Sequence, residues 1–316
     1  MHAGPRKGKP IGGFVAIVAI IILECAFLRF TEPLTGLPFL EPTADDAAVV
    51  AKRRLFDQAG GSVVLIGDSS CMMGLVPSVI EGESGLPAVN LGLLASYSMA
   101  GFAETVEELL ERPRLPTAVV VAVLPRALEF TESDTRDFDL LGRSLVAYGR
   151  SSPAYAKKIS DWRSWFHRKH MINRFPRGLG GSFAAYWRTL SASKGYLEET
   201  HVYAGGEPIR REFRASAFAT ESLRGLVRAA EAKKVPVFLW WSPSPVDAVD
   251  PAYLKDAHAA ARALQRELPW LRIPQREPPA WEPSLFGSVT HVKKDGATRN
   301  SRQLGQALRS AGMRGT

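Results

Sequence analysis

Cysteine is scarce in this chain, which has two among its 316 residues, Cys25 and Cys71. Because Cys25 lies in an apolar N-terminal segment, the two thiols are not expected to pair, and no disulfide framework is predicted. No metal site is predicted either. His167 and His170 lie three residues apart in the sequence, but no carboxylate or cysteine completes a set of metal ligands around them.

Glycine-rich phosphate-binding loops of the Walker and dinucleotide types are also missing from the sequence, and we expect no cofactor. The net charge of +8 is modest, and much of it falls between Arg143 and Arg188. No nucleic-acid recognition motif accompanies this charge, so nucleic acid is not a predicted partner. Anionic lipid headgroups or an acidic glycan are compatible with such a basic surface.

A basic start precedes an apolar segment at the N-terminus. Three basic residues within positions 6–9 stand ahead of an apolar run at 11–23, which resumes after Glu24 and ends at Leu28. This length suits a short membrane-spanning helix, and the basic flank places the N-terminus in the cytoplasm. We therefore expect a single-pass membrane anchor with the main domain outside, in the periplasm or the extracellular space. A cleaved signal peptide and a buried helix of a soluble protein remain alternatives.

Composition divides the chain into three regions. Residues 1–30 form the predicted cytoplasmic tip and transmembrane anchor, and 31–44 form a proline-rich linker. Residues 45–316 form one large domain. Within it, 131–213 is polar, rich in aromatic residues and without a clear strand, so we interpret this stretch as an insertion of helices and loops.

The apolar runs of the large domain are continuous rather than alternating, as in parallel strands buried on both faces. They alternate with amphipathic helices, which predicts βαβ units and a three-layer α/β/α sandwich with a mainly parallel sheet. The predicted strands are 62–66, 88–91, 118–124, 236–241 and 271–273, and the predicted helices are 45–58, 100–111, 216–233, 251–267 and 295–309.

Two short motifs suggest chemistry at one edge of this sheet. Gly67-Asp68-Ser69 directly follows the first predicted strand, and His291 precedes the last predicted helix. Ligands of open parallel sheets bind beyond the carboxyl ends of the strands. A serine hydroxyl needs a neighbouring base to attack a carbonyl, and histidine suits that task near neutral pH. The alternative is that Gly67-Asp68-Ser69 is only a turn and the start of a helix.

These motifs resemble those of the SGNH (GDSL-type) hydrolase superfamily over roughly 61–311. The resemblance implies a flavodoxin-like fold, with Ser69 as nucleophile and His291 as general base. Asn90-Leu91-Gly92 is similar to the second sequence block of the family. It implies that the N–H groups of Ser69 and Gly92 form the oxyanion hole.

Two family features are missing. The aspartate that usually stands three residues before the histidine, where it orients the imidazole, is Ser288 in this chain. The third block, Gly-x-Asn-Asp after a strand, with the asparagine in the oxyanion hole, is replaced by Leu124-Pro125-Arg126-Ala127-Leu128-Glu129. Glu129 or Asp295 could then orient the imidazole. Asp68, Asn90 and Ser288 are further candidates for orienting or supporting residues.

Such reduced motifs behind an N-terminal anchor resemble the subset of the superfamily that modifies cell-surface polysaccharide or cell wall. This resemblance implies a serine-dependent O-acyl transferase or esterase, with acetyl as the favoured group and an envelope carbohydrate as substrate. A membrane-bound O-acyltransferase is the implied partner. The alternatives are a non-catalytic binding or assembly protein on the same fold, and a soluble esterase whose signal peptide has been removed.

Overall fold

The computed structural model describes residues 51–52, 54–93, 95–131, 183–205 and 212–313. All of them belong to one compact unit, Thr43–Thr316. The predicted anchor, the predicted linker and the basic stretch containing His167 and His170 lie outside the described residues. Among the helices that are described, none is both long enough and apolar enough to cross a membrane.

A five-stranded sheet in which all strands are parallel forms the centre of the domain. The strands along the described chain are β1 Val63–Gly67, β2 Ala88–Asn90, β3 Ala118–Val123, β4 Val237–Trp241, β5 Ser244–Pro245, β6 Leu271–Arg272 and β7 Ala280–Trp281. The strand order in the sheet is β2-β1-β3-β4-β6, and β5 and β7 form a separate parallel pair. The predicted α/β class with a mainly parallel sheet is therefore confirmed.

Helices alternate with the strands of this sheet along the described part of the chain. A helical segment at 51–57, in which residue 53 is not described, precedes β1. The bounds of the others are α1 Ser69–Gly74, α2 Pro77–Ser84, α3 Ser98–Leu110, α4 Phe183–Ala192, α5 Ala217–Ala232, α6 Pro251–Glu267 and α7 Lys294–Ser310. Short 3-10 turns occur at Ala95–Tyr97, Pro125–Leu128 and Pro283–Leu285.

Two hydrophobic cores lie on the two faces of the sheet. On β1, Val64 and Ile66 belong to one core, which also contains residues of α3, α5 and α6. Val63 and Leu65 belong to the other core, together with residues of α2 and α7 such as Leu304. Successive side chains of a strand point to opposite faces, so a strand covered on both sides must be apolar throughout. This explains the continuous apolar runs in the sequence, and two covered faces are consistent with a three-layer arrangement.

The sequence patterns did not predict α2 or the strand pair β5–β7. A helix start at Ser69 was only the alternative interpretation of Gly67-Asp68-Ser69, and the structure has α1 there. The predicted insertion was expected to contain helices without stated bounds, and α4 is one of them. After α4, the chain continues through Gly195 to Glu199, which forms an isolated parallel bridge with Lys293. This segment brings part of the predicted insertion to the region just ahead of α7.

Candidate active site

Ser69 is held at the carboxyl end of β1 by the tight turn that precedes α1. The backbone of Gly67 passes so close to β3 that a Cβ atom there would lie 1.8 Å from the carbonyl oxygen of Ala122, which excludes any other residue. Asp68 caps α1, since its Oδ1 accepts the N–H of Ser70 at 2.9 Å. Ser69 follows as the first helical residue, and its side chain is only partly buried.

His291 lies against Ser69. Its Nε2 is 2.8 Å from Ser69 Oγ, although the two residues are far apart in the sequence. The imidazole comes from the loop that joins the 3-10 turn Pro283–Leu285 to α7. The structure thus brings the predicted nucleophile and the predicted base within hydrogen-bonding distance.

Ser288 shapes the loop that carries this histidine. Its Oγ accepts the backbone N–H of His291 at 3.1 Å and that of Thr290 at 3.4 Å. Ser288 therefore contacts the backbone of the histidine and has no hydrogen bond to the imidazole. It does not replace the missing aspartate in orienting the ring.

A carboxylate that was not predicted holds the imidazole. Oε2 of Glu199 lies 3.1 Å from His291 Nδ1, on the ring side opposite Ser69. The two carboxylates proposed from the sequence are engaged elsewhere. Glu129 accepts the hydroxyl of Tyr253 at 2.5 Å, and Asp295 is exposed in the first turn of α7. The expectation that Glu129 or Asp295 orients the imidazole is therefore wrong, because the chain after α4 supplies this group.

The other oxygen of Glu199 is fixed by His201. Glu199 Oε1 accepts the backbone N–H of His201 at 2.8 Å and lies 2.6 Å from His201 Nδ1. The carboxylate is almost completely buried, with 3% of its side chain exposed. Burial by itself raises the pKa of Glu199, but the hydrogen bonds from His291 and His201 outweigh it and lower the pKa to about 2. Glu199 is therefore a carboxylate at neutral pH.

A small hydrophobic core lies beneath this arrangement. It joins Tyr196, three residues before Glu199, to residues on both sides of the His291 loop: Trp281, Phe286, Val292 and Ala297. A backbone hydrogen bond from Leu197 N–H to the carbonyl of Met72, 3.1 Å long, ties the same segment to α1. Gly287 leaves the space that Glu199 needs, because a Cβ atom there would lie 2.4 Å from Glu199 Cγ.

The predicted oxyanion hole is only partly free in this structure. As the first residue of α1, Ser69 has an N–H group without an acceptor inside the helix. The N–H of Gly92, by contrast, donates to Asn90 Oδ1 at 2.8 Å. The Nδ2 group of Asn90 donates to the carbonyl oxygens of Cys71 and Leu75, so Asn90 ties β2 to α1. The oxyanion role of Gly92 stays a prediction.

Asp68 is part of a buried network behind the nucleophile. It accepts the hydroxyl of Ser70, whose Oγ lies 2.7 Å from Ser242 Oγ after β4. Its Oδ2 accepts the N–H of Leu124 after β3 at 3.4 Å. Burial raises the pKa of Asp68, and these hydrogen bonds oppose that shift. Asp68 therefore supports the site by joining the ends of three strands.

Within the described ranges, no group of three or more His, Cys, Asp or Glu side chains is placed to hold a metal ion. Comparison of the chain with protein-family models, with curated proteins and with solved structures finds no match.

Proposed function

We propose that this chain carries out serine-dependent acyl transfer through Ser69, His291 and Glu199. One observation carries the proposal: the imidazole of His291 lies 2.8 Å from Ser69 Oγ on one side and 3.1 Å from Glu199 Oε2 on the other. A nucleophile, a base and a carboxylate that orients the base recur in this order in serine hydrolases of unrelated folds. Such a triad is recognised by geometry rather than by the order of residues in the chain.

The reaction follows from these positions. Ser69 Oγ attacks the acyl carbonyl, a new C–O bond forms, and its proton moves to His291 Nε2. Glu199 keeps the Nδ1–H of the ring in place and stabilises the imidazolium. The bond from the acyl carbon to the leaving oxygen then breaks, and His291 returns the proton to that oxygen. A sugar hydroxyl or water takes the acyl group from Ser69 by the same steps in reverse.

We further propose that the domain is an SGNH-like, flavodoxin-like sandwich that acts outside the membrane. The sheet order supports this proposal, because counting its five strands along the chain gives the order 2-1-3-4-5 of flavodoxin-like folds. The basic start and apolar run at the N-terminus support an anchor. An envelope carbohydrate as acceptor, acetyl as the acyl group and a membrane-bound O-acyltransferase as partner complete the proposal.

Turnover of an aryl acetate by the full-length chain tests the proposal. We expect release of the aryl alcohol by the wild-type chain and loss of release in Ser69→Ala and in His291→Ala. Ser191→Ala is a matched control, since Ser191 lies on the exposed side of α4 and touches none of the three residues. Release that is equal in all four proteins contradicts the proposed role of Ser69.

A second function, binding without catalysis, is favoured by one observation. The N–H of Gly92 is occupied by Asn90 Oδ1, so the predicted pair of oxyanion N–H groups, Ser69 and Gly92, has one free member fewer. In that case the chain would bind a glycan or a membrane partner through the same fold. Binding of an envelope polysaccharide by Ser69→Ala and wild type alike, without acyl release by either, would favour this second function.

A further inference from the structure

Lys52 is a completely buried lysine on the helical segment that precedes β1. Its Nζ donates to the carbonyl oxygen of Asn90 at 2.7 Å, to Asn90 Oδ1 at 3.3 Å and to the carbonyl oxygen of Gly195 at 2.5 Å. Among the described residues no carboxylate forms an ion pair with it. A buried cation is retained only where hydrogen bonds compensate for lost water, and here three acceptors match the three N–H groups of an ammonium.

The three acceptors connect this lysine to both halves of the proposed site. Asn90 Oδ1 also accepts the N–H of Gly92, so one oxygen is shared between Lys52 and the predicted oxyanion loop. Gly195 opens the segment that delivers Glu199 four residues later. The turn at Gly195 is tight, and its φ is +97°. A Cβ atom added at this position would lie 1.9 Å from the carbonyl oxygen of Asn90.

Other hydrogen bonds among the described residues also hold the Gly195 turn, but none of them reaches the carbonyl of Gly195. The carbonyl of Lys194 accepts the N–H of Asn90 at 2.9 Å, and the N–H of Gly195 donates to Leu190 at 2.7 Å. The carbonyl of Gly195 has Lys52 as its hydrogen-bond donor. Removal of the ammonium would leave this carbonyl buried without a donor.

We infer that Lys52 is a positioning residue for the triad, because its ammonium holds the Gly195 turn against the end of β2 and so fixes Glu199 behind His291. This inference rests on the proposed function, since the position of Glu199 affects a rate only if Ser69 and His291 react. Lys52 touches none of the three triad residues and acts through the backbone of 195–199.

The protonation state of Lys52 gives this role a pH dependence. Burial lowers the pKa of Lys52 to about 7. A thiolate at Cys71 on α1 would oppose this shift, but burial also raises the pKa of Cys71, so its thiol is neutral in this pH range. The other charged side chain at the turn, Lys194, is exposed and paired with Glu81 on α2. On the lysine's own helical segment, Arg54 and Asp57 are exposed. A neutral amine has two N–H groups and a lone pair, so above this pH Lys52 can donate to only two of its three acceptor oxygens and turns a lone pair towards the third.

Steady-state kinetics of the full-length chain with an aryl acetate, as a function of pH, test the inference. Lys52→Met has a similar length without N–H groups, and we expect kcat to fall between about 10- and 100-fold with little change in KM. We also expect the decline of the wild-type kcat above pH about 7 to be absent in Lys52→Met. Lys194→Met, on the same turn but exposed, should keep the wild-type rate and pH profile.

Amide hydrogen exchange of peptides covering 193–201 provides a second measurement that needs no turnover. We expect faster exchange in Lys52→Met and wild-type exchange in Lys194→Met. If exchange is faster in Lys52→Met but neither the wild type nor any variant turns over the aryl acetate, the proposed function is contradicted, whereas the role of Lys52 in positioning 195–199 is supported. If the wild type turns over the aryl acetate and Lys52→Met has the same kinetics and the same exchange, the inference about Lys52 is contradicted and the proposed function is not affected. If Lys52→Met does not fold, a wild-type kcat that stays level about two pH units above 7 overturns it.

Discussion

Glu199 and His291 are separated by 92 residues in the chain and meet through one hydrogen bond of 3.1 Å between Oε2 and Nδ1. The bond places a buried carboxylate behind the imidazole that faces Ser69. It also compensates for the absence of an aspartate at position 288. The acid of the proposed triad thus comes from a different part of the chain than the family motif predicts.

Replacement of Glu199 by glutamine should slow catalysis, although glutamine has nearly the same shape as glutamate. An amide is neutral and can favour the wrong imidazole tautomer, so we expect kcat to fall by about two to four orders of magnitude. Glu198→Gln is the matched control, because Glu198 is the exposed neighbour of Glu199. Steady-state kinetics with an aryl acetate measure both. Equal rates for the two variants would contradict the role of Glu199.

Gly287→Ala should displace the carboxylate of Glu199 by a steric clash. The new Cβ would lie 2.4 Å from Glu199 Cγ, so Glu199 must move from its hydrogen bond with His291. We expect kcat to fall at least about tenfold, since small displacements of catalytic groups are costly. Gly82→Ala on α2 is the control, because no atom lies within 4 Å of its added Cβ. A wild-type rate in Gly287→Ala would show that Glu199 need not stay in place.

His201→Gln should have a smaller effect than Glu199→Gln. The substitution removes the Nδ1 contact to Glu199 Oε1, but the backbone N–H of residue 201 still donates to the same oxygen. The loss of one hydrogen bond of this kind is worth about a two- to tenfold change in kcat. Val202→Gln, at a side chain that is 79% exposed, is the control in the same segment. A loss as large as that of Glu199→Gln would make His201 a full partner of the triad.

The low pKa of Glu199 predicts a loss of stability in acid. Its pKa is about 2 when folded, against an ordinary value of 4.5, so the carboxylate stabilises the fold fully above pH 4.5. This contribution, up to about 3 kcal/mol, is lost as the pH falls from 4.5 towards 2. Urea unfolding of wild type and Glu199→Gln at pH 6 and pH 3 measures it. The stability difference between the two proteins should shrink at pH 3, and an unchanged difference would contradict the assigned pKa.

The sequence predicts the sheet well because local composition determines it. The run at 118–124 is apolar at every position, and β3 occupies Ala118–Val123 with both faces covered. The position of Ser69 at the carboxyl edge of the sheet follows from the same pattern, because Ser69 comes directly after β1. Elements of two residues, such as β5 and β7, depend on pairing between distant segments and leave no periodic pattern.

Glu199 could not be predicted in the same way. Its place depends on the turn at Gly195, on the bridge to Lys293 and on the ammonium of Lys52, none of which forms a local pattern. The sequence offers only a weak signal for this carboxylate, because Gly195, Glu198, Glu199 and His201 stand close together in a polar insertion. The hydrogen bond between Asn90 Oδ1 and Gly92 N–H was equally hidden, because the motif fixes the residue types and not their contacts.

In the proposed mechanism, His291 activates Ser69 for attack on an acyl carbon. The most direct measurement is mass spectrometry of the full-length chain quenched during reaction with an aryl acetate, with the acylated residue located by fragmentation. We expect acetyl on Ser69 in the wild-type chain and in Ser191→Ala, and none at that position in His291→Ala. Acetyl confined to surface lysines, or acetyl on Ser69 that is unchanged in His291→Ala, would contradict this mechanism.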